Sequence, residues 1–243
     1  MIAQPVNLAP SRWGVLEKIP RSKALALLLA VLLGIVLFIF FDLDVFYVYH
    51  LEISGLDYVT PVEIEKASGL MGYNIFFIDA RAAERALQKL PEVKSAHVYA
   101  ALPSRVSVVI EERQPEVVWQ RGPENYWVDA DGIVFRARAS VSNVPTLRDV
   151  DTSPIKLGQK LYAAPLDAYH ALRLAWSDAP RNLEWSNQRG LAYTDEHGWK
   201  IYLGDASEMA GKLAKLRALV PQLVGRNPSI RFIDVGKGDP YYQ

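Results

Sequence analysis

The stretch Ala24–Phe41, ALALLLAVLLGIVLFIFF, constrains this chain more than any other. Its eighteen residues include no charge, no strong hydrogen-bonding side chain and no proline. At about 1.5 Å per residue, a helix of that length spans roughly 27 Å, close to the hydrocarbon thickness of a bilayer. Fourteen of the residues are Leu, Ile, Val or Phe. At roughly −0.3 to −0.6 kcal/mol each, they favour insertion by about −4 to −8 kcal/mol. A cleaved signal peptide has a shorter apolar region and a small-x-small cleavage site, whereas this run ends in Phe40-Phe41-Asp42. A helix in a soluble core would show polar residues on one face. The sequence therefore predicts an uncleaved membrane anchor, residues 24–44, with residues 24–41 in the lipid bilayer. Arg12, Lys18, Arg21 and Lys23 precede the run with only Glu17 opposing them, while Asp42 and Asp44 follow it. The positive-inside rule puts the tail, residues 1–23, in the cytoplasm and everything after about residue 45 outside.

Charge and cysteine content narrow what lies beyond the anchor. Lys plus Arg equals Asp plus Glu, 27 each, so no overall charge argues for nucleic acid. The chain has no cysteine, which excludes disulfides and thiolate chemistry and leaves stability to packed cores. No internal repeat or low-complexity stretch is visible. The length beyond the anchor suits one large or two small domains.

Residues 45–113 read as the first of two. Phe46–Ile53 alternates, with Tyr49, Leu51 and Ile53 predicted to face a core and His50 and Glu52 to face away. Thr60-Pro61-Val62-Glu63 is a helix start, with Thr60 as cap, Pro61 at the first position and Glu63 reaching back. Val59 and Ile64 are placed as a hydrophobic staple, and Gly69 as a stop. Asp79 opens a second helix whose Ala83, Ala86, Leu87 and Leu90 share a face. Val93–Ala100 and Arg105–Glu112 then form a hairpin through Leu102-Pro103-Ser104, with Val106, Val108 and Ile110 alternating. The predicted order is β-α-α-β-β, two helices covering one face of a small sheet.

Residues 114–235 read as a second, mostly β domain. Val117-Val118-Trp119 begins a strand. Tyr126–Asp129 and Ile133–Arg136 flank the turn Ala130-Asp131-Gly132. That turn also invites a calcium reading, but an EF-hand loop aligned on Gly132 would need carboxylates where Trp127 and Arg138 stand. Pro165–Trp176 reads as a helix with Leu166, Tyr169, Leu172 and Trp176 on one stripe. Leu191–Tyr193 and Trp199–Leu203 form a hairpin through His197-Gly198. A helix from Glu208 carries Met209, Leu213, Leu216 and Val220, with Lys212, Lys215 and Arg217 on a solvated face and an end near Pro221. Arg231–Val235 is the last strand, followed by a tail, residues 236–243.

No catalytic constellation emerges. His50, His97, His170 and His197 lack metal-ligand spacing, and there is no nucleophile elbow or Gly-rich phosphate loop. The reading is a non-enzymatic protein with no cofactor and no metal.

The phrases Ile53-Ser54-Gly55, Thr60–Ile64, Gly72-Tyr73-Asn74-Ile75-Phe76, Leu90-Pro91-Glu92-Val93, Leu102-Pro103 and Glu112-Arg113-Gln114-Pro115 follow one membrane anchor in order. This stretch resembles a POTRA domain of the FtsQ/DivIB cell-division family. Trp119, Val128–Gly132, Trp199–Gly204, the helix from Glu208 and Phe232-Ile233-Asp234 resemble that family's second domain. The resemblance implies an α+β fold and a bacterial inner-membrane protein with one span, concentrated at the division septum. It implies a scaffold linking early and late division proteins. Its partners would be FtsB-like and FtsL-like bitopic proteins, received by strand addition at the C-terminal edge. An unpaired last strand offers backbone groups to such a partner, which places the partner site on Arg231, Phe232, Ile233, Asp234 and Val235, beside the helix from Glu208. A charged residue at Phe232 or Ile233 is then predicted to weaken the complex. Where the family's last strand often continues with a leucine and an arginine, this chain has Val235 and Gly236. POTRA-like modules also receive polypeptide in export machines, but those come as repeats before a β-barrel, which this sequence lacks. An envelope hydrolase would need a carboxylate pair in a pocket.

Overall fold

The computed structural model describes residues 20–152, 154–226 and 230–243. Helix α1, Arg21–Asp42, encloses the apolar run, and its side chains touch little of the rest of the chain. Among the described residues it is the one helix long and apolar enough to cross a membrane. Its last turn is tied down. The Phe41 carbonyl accepts from Tyr47 Oη at 3.3 Å and from Asn74 Nδ2 at 3.4 Å. Both donors satisfy a carbonyl that the end of a helix leaves without an intrahelical partner.

The first globular unit has the predicted order: β1 Leu51–Ser54, α2 Pro61–Ser68, α3 Ala80–Leu87, β2 Val93–Ala101 and β3 Arg105–Glu112. Its sheet runs β1-β3-β2, with β1 parallel and β2 antiparallel to β3. Thr60 and Glu63 form the reciprocal capping box, and Gly69 ends α2 in the left-handed region. Asp79 accepts from Ala82 N at 2.9 Å to cap α3. Val106, Val108 and Ile110 all face the core, against Ile64, Ala83 and Leu87.

One predicted element is shorter. Residues 44–46 make a single 3-10 turn, and Tyr47 bridges to Asn74 instead of extending β1. Val48 N donates to Tyr73 O at 2.9 Å, and Gly72 N donates to Val48 O at 2.8 Å. This pairing turns Val48 into the core and leaves Tyr49 exposed against expectation, while Leu51 and Ile53 pack on the core as expected. Gly55, at φ +82°, sits where an added Cβ would lie 1.9 Å from the Ile110 carbonyl oxygen, so only glycine fits.

The second unit is a nine-stranded sheet in the order β12-β11-β10-β9-β8-β7-β4-β5-β6. Its strands are β4 Val117–Arg121, β5 Glu124–Val128, β6 Val134–Arg136, β7 Thr146–Asp149, β8 Asn182–Ser186, β9 Gly190–Thr194, β10 Lys200–Gly204, β11 Phe232–Asp234 and β12 Tyr241–Tyr242. Most neighbours are antiparallel; β4/β7, β7/β8 and β10/β11 are parallel. Helices α4, Ala163–Ala175, and α5, Met209–Arg226, share one apolar core with the sheet. Trp119 and Val117 point into that core, while Val118 points to the opposite face and packs with Trp127, Phe135 and Tyr58.

Two expectations for α5 change. It continues through Pro221 to Arg226 because Leu223 is buried in the core, and that packing outweighs the proline's missing N–H. Lys212 is not on a solvated face. It is buried, and its Nζ donates to Asp205 O at 2.9 Å and Oδ1 at 3.0 Å. Hydrogen bonds from Ser207 and then Lys212 hold the Asp205 carboxyl down at about 2.

The two units are bolted together by charge. Within the first unit, buried Glu112 at the end of β3 accepts from the backbone N–H groups of Asp57, Tyr58 and Val59 and so braces the segment that carries Tyr58. Arg113 pairs with Asp129 at 2.6 Å, and Asp129 Oδ1 also accepts from Ile133 N at 2.7 Å. The Asp129 turn is thus a structural joint of the β5–β6 hairpin. Arg138, beyond β6, reaches back to Glu63 at 2.9 Å and Glu92 at 3.0 Å. The Tyr58 ring meets Trp127 edge-on at 4.7 Å.

Arg138→Ala is expected to loosen this joint, because the Glu92 side chain is only 7% exposed and would keep a buried, unpaired charge. Interdomain distances from paired spin labels on the full chain should broaden, where the parent gives one narrow distribution. The same joint is acid-sensitive. Hydrogen bonds from Arg138 and then from Thr60 N–H lower Glu63 from 4.5 to about 2. A depressed carboxylate stabilises the folded state fully above its unfolded value and loses that contribution as pH falls. The parent should therefore show the same broadening between about pH 4.5 and pH 2, with no change at neutral pH.

Candidate functional site

The C-terminal edge of the large sheet is built from the inside outward. β11 lies parallel to β10 in the register Lys200↔Phe232, Ile201↔Ile233 and Tyr202↔Asp234. Lys200 N donates to Arg231 O at 3.1 Å, and Val235 N donates to Tyr202 O at 3.0 Å. Strand alternation sends Ile233 and Val235 into the core beneath α5, both essentially inaccessible. Phe232 and Asp234 face the other way and are half-buried, and Arg231, just before β11, is exposed. The five residues are contiguous along the edge, but only Arg231, Phe232 and Asp234 keep accessible side chains. A charged residue at Ile233 reports on the core.

β11 is also not the last strand. Gly236–Pro240 turns the chain back, and β12 pairs antiparallel with β11 through Ile233↔Tyr242 and Asp234↔Tyr241. Gln243 O accepts from Arg231 N at 2.7 Å and Phe232 N at 3.2 Å, and Gln243 N donates to Phe232 O at 3.2 Å. The outer side of β11 is therefore covered by residues 241–243, and β12 stands at the edge of the described sheet. In an antiparallel ladder, bonded and non-bonded pairs alternate. With Gln243 bonded to Phe232, Tyr242 directs its N–H and C=O outward. Two adjacent aromatic residues after a Gly/Asp/Pro turn were the sequence signal for this strand.

A polar and aromatic surface runs back from this edge on the face away from α4 and α5. Phe232 meets Tyr202 at 5.8 Å and Tyr241 at 5.6 Å. The Arg189 guanidinium stands 4.6 Å from the Tyr202 ring and 5.1 Å from the Phe232 ring. Beyond Tyr202, Glu184 lies between Lys200 and Arg148 and pairs with both. Burial pushes the Glu184 carboxyl up, but the hydrogen bonds from Lys200 and Arg148 outweigh it and keep it lowered. The edge is anchored where Gly204 adopts φ +76° and a Cβ would come 2.9 Å from Gly236 Cα.

Among the described residues, the histidines lie apart from one another. His170 Nε2 contacts Glu116 Oε1 at 2.8 Å across α4 and β4, and His197 lies in the β9–β10 turn beside Trp199. Among the described residues, no three His, Cys, Asp or Glu side chains are grouped to hold a metal.

A membrane-length helix, a β-α-α-β-β unit and a nine-stranded sheet with helices on one face define a membrane-anchored POTRA protein. Residues 46–113 match the POTRA domain of FtsQ type, and residues 117–235 match the C-terminal domain of the cell-division protein FtsQ/DivIB. Similar proteins include the cell division protein FtsQ of Chloroflexus aurantiacus, 26% identical over 96% of this chain and 86% of that protein. FtsQ of Chloroflexus aggregans is 26% identical over 82% of this chain and 74% of its own length. FtsQ of Streptomyces venezuelae is 31% identical over 57% of this chain and 54% of its own length. This chain belongs to the FtsQ/DivIB cell-division family.

Proposed function

We propose that this protein is a non-enzymatic divisome scaffold that captures small bitopic partners, FtsB-like and FtsL-like, by strand addition at the C-terminal edge of its large sheet. The single observation that supports this reading is the outer side of β12. Tyr242 presents an outward N–H and C=O at a sheet edge. A partner strand either extends the sheet there or replaces the two-residue β12 against Arg231–Val235. Phe232, Tyr241 and Arg189 supply an aromatic and cationic flank for its side chains. α1 spans the inner membrane with Arg21 and Lys23 on the cytoplasmic side and both globular units outside. The scaffold acts at the septum.

The test is capture of the partners' extracytoplasmic segments by the full chain in detergent. Tyr242→Pro removes the outward N–H and introduces a ring at the edge, without touching the core. Capture is expected to fall about tenfold or more, the equivalent of one or two hydrogen bonds. Phe232→Glu alters the flank whether the partner extends β12 or replaces it, and unchanged capture by both Tyr242→Pro and Phe232→Glu, with both still folded, would rule this edge out.

A further inference from the structure

The POTRA unit carries an exposed aromatic turn at the mouth of the membrane helix. Residues 75–77 form one 3-10 turn, capped by Asn74 Oδ1 accepting from Phe76 N at 3.1 Å. Ile75 is buried and fixes the turn to the core, while Phe76, Phe77 and Tyr73 are 44%, 66% and 57% exposed. The turn is held against α1. Phe77 stacks on Phe41 at 5.5 Å, and Phe76 stands 6.1 Å from Phe40 and 5.3 Å from Phe46. The Asn74 and Tyr47 bonds to the Phe41 carbonyl lock the same junction. The parallel register Leu51↔Val106 also brings the β2–β3 tip, with exposed Leu102, to the end of the sheet where β1 starts.

Depth decides what covers this patch. The apolar run ends at Phe41, and α1 is about 33 Å long at 1.5 Å per residue, enough to cross the hydrocarbon layer. A ring stacked on Phe41 therefore lies at the boundary between acyl chains and headgroups. Aromatic side chains favour that boundary, and a clustered apolar patch is otherwise rare on a soluble surface. No Lys or Arg lies between Asp42 and Pro61 or between Met71 and Ala80, and Arg105 at the β2–β3 tip pairs with Glu52 at 3.5 Å, so the attraction is apolar.

We propose that the Tyr73–Phe77 turn inserts into the outer-leaflet interface of the bilayer that α1 spans, so that the POTRA unit rests on the membrane at a fixed angle. The occupant is lipid, and the proposal rests on α1 being a membrane span. The consequence is mechanical: the Arg138 joint then sets the orientation of the large sheet, and hence of its C-terminal edge, relative to the membrane plane.

The absence of cysteine makes the test direct, because one introduced thiol gives one label. Full-length Phe77→Cys, Phe38→Cys and Leu174→Cys variants, each carrying an environment-sensitive fluorophore, are placed in phosphatidylcholine vesicles. Some of these vesicles contain lipid spin-labelled near the headgroup. Phe38 reports on the span, and Leu174 is a fully solvated position on α4. The expected result is blue-shifted emission at 77, with about a twofold or greater loss of intensity to the shallow spin label, as for an interfacial side chain. Position 174 should respond only to an aqueous quencher. Emission at 77 that is aqueous while position 38 is lipid-buried overturns the proposal and leaves the span standing. An aqueous signal at both positions overturns the span itself. Protection at 77 that ignores the shallow label and grows with protein-to-lipid ratio assigns the turn to a second copy and overturns the lipid reading.

Discussion

Ile233→Asp is expected to unfold the large sheet. Ile233 is fully inaccessible, with Ile201 opposite it on β10, and belongs to the same core cluster as Leu203, Leu213 and Val235. Truncating a buried Ile to Ala costs about 2–5 kcal/mol, and a carboxylate in its place adds the penalty of an unpaired buried charge. The sum rivals the roughly 5–15 kcal/mol of a whole domain. The check is chemical denaturation of the soluble part of the chain followed by tryptophan fluorescence. Trp119 and Trp185, both in this core, should report the loss. Phe232→Glu is the contrasting substitution. Its ring lies on the outer surface between Tyr202 and Tyr241, so the expected cost is about 1 kcal/mol, within the range for an exposed aromatic contact. Lost capture in Ile233→Asp would thus speak about folding, whereas lost capture in Phe232→Glu would speak about the edge. Two equal denaturation curves would show that Ile233 does not hold the core.

The second large effect lies at Glu112. Its carboxylate accepts from Asp57 N at 3.0 Å, Tyr58 N at 3.0 Å and Val59 N at 2.9 Å, just before the α2 capping box. Glu112→Ala would leave three backbone donors facing a small buried void. Each unsatisfied buried donor costs about 1–3 kcal/mol, so a loss of roughly 3 kcal/mol or more is expected for the POTRA unit. The displaced 57–59 segment carries Tyr58 away from Trp127, so the interdomain joint should loosen as well. Hydrogen exchange reads both effects at once. Amides 57–59 and the strand around Trp127 should exchange faster together in the variant, and protection that stays at parental levels would contradict the assignment.

Glu112 also shows how far the sequence could be read. Its phrase, Glu112-Arg113-Gln114-Pro115, marks a family resemblance and a domain boundary, yet nothing local says that the carboxylate reaches residues more than fifty positions earlier. The same holds for Arg138, whose partners Glu63 and Glu92 lie on another unit. Local signals fared better. The capping box at Thr60, the Asp79 cap and the Val106–Ile110 alternation depend on neighbours within a few residues, and all stand in the structure. β7 and β8 leave little local signal because each is short and they pair in parallel with each other across the long α4 crossover. At the C-terminal edge, the strand Arg231–Val235 was legible in the sequence, but not that Ile233 and Val235 turn into the core. The chain's return through Tyr241–Tyr242 is a long-range pairing, and it moved the open edge outward.

By itself, the sequence determined the membrane-length helix, the charge bias of its flanks, and the caps and alternations that build two packed units without cysteine. These follow from length, periodicity and side-chain type, which act over one helix or one strand. Only the tertiary structure decided which strand ends the sheet, which carboxylates hold the two units together, and that an aromatic turn of the POTRA unit meets the last turn of the membrane helix. Those depend on which distant segments share a core, and burial free energy selects that partnership for the chain as a whole.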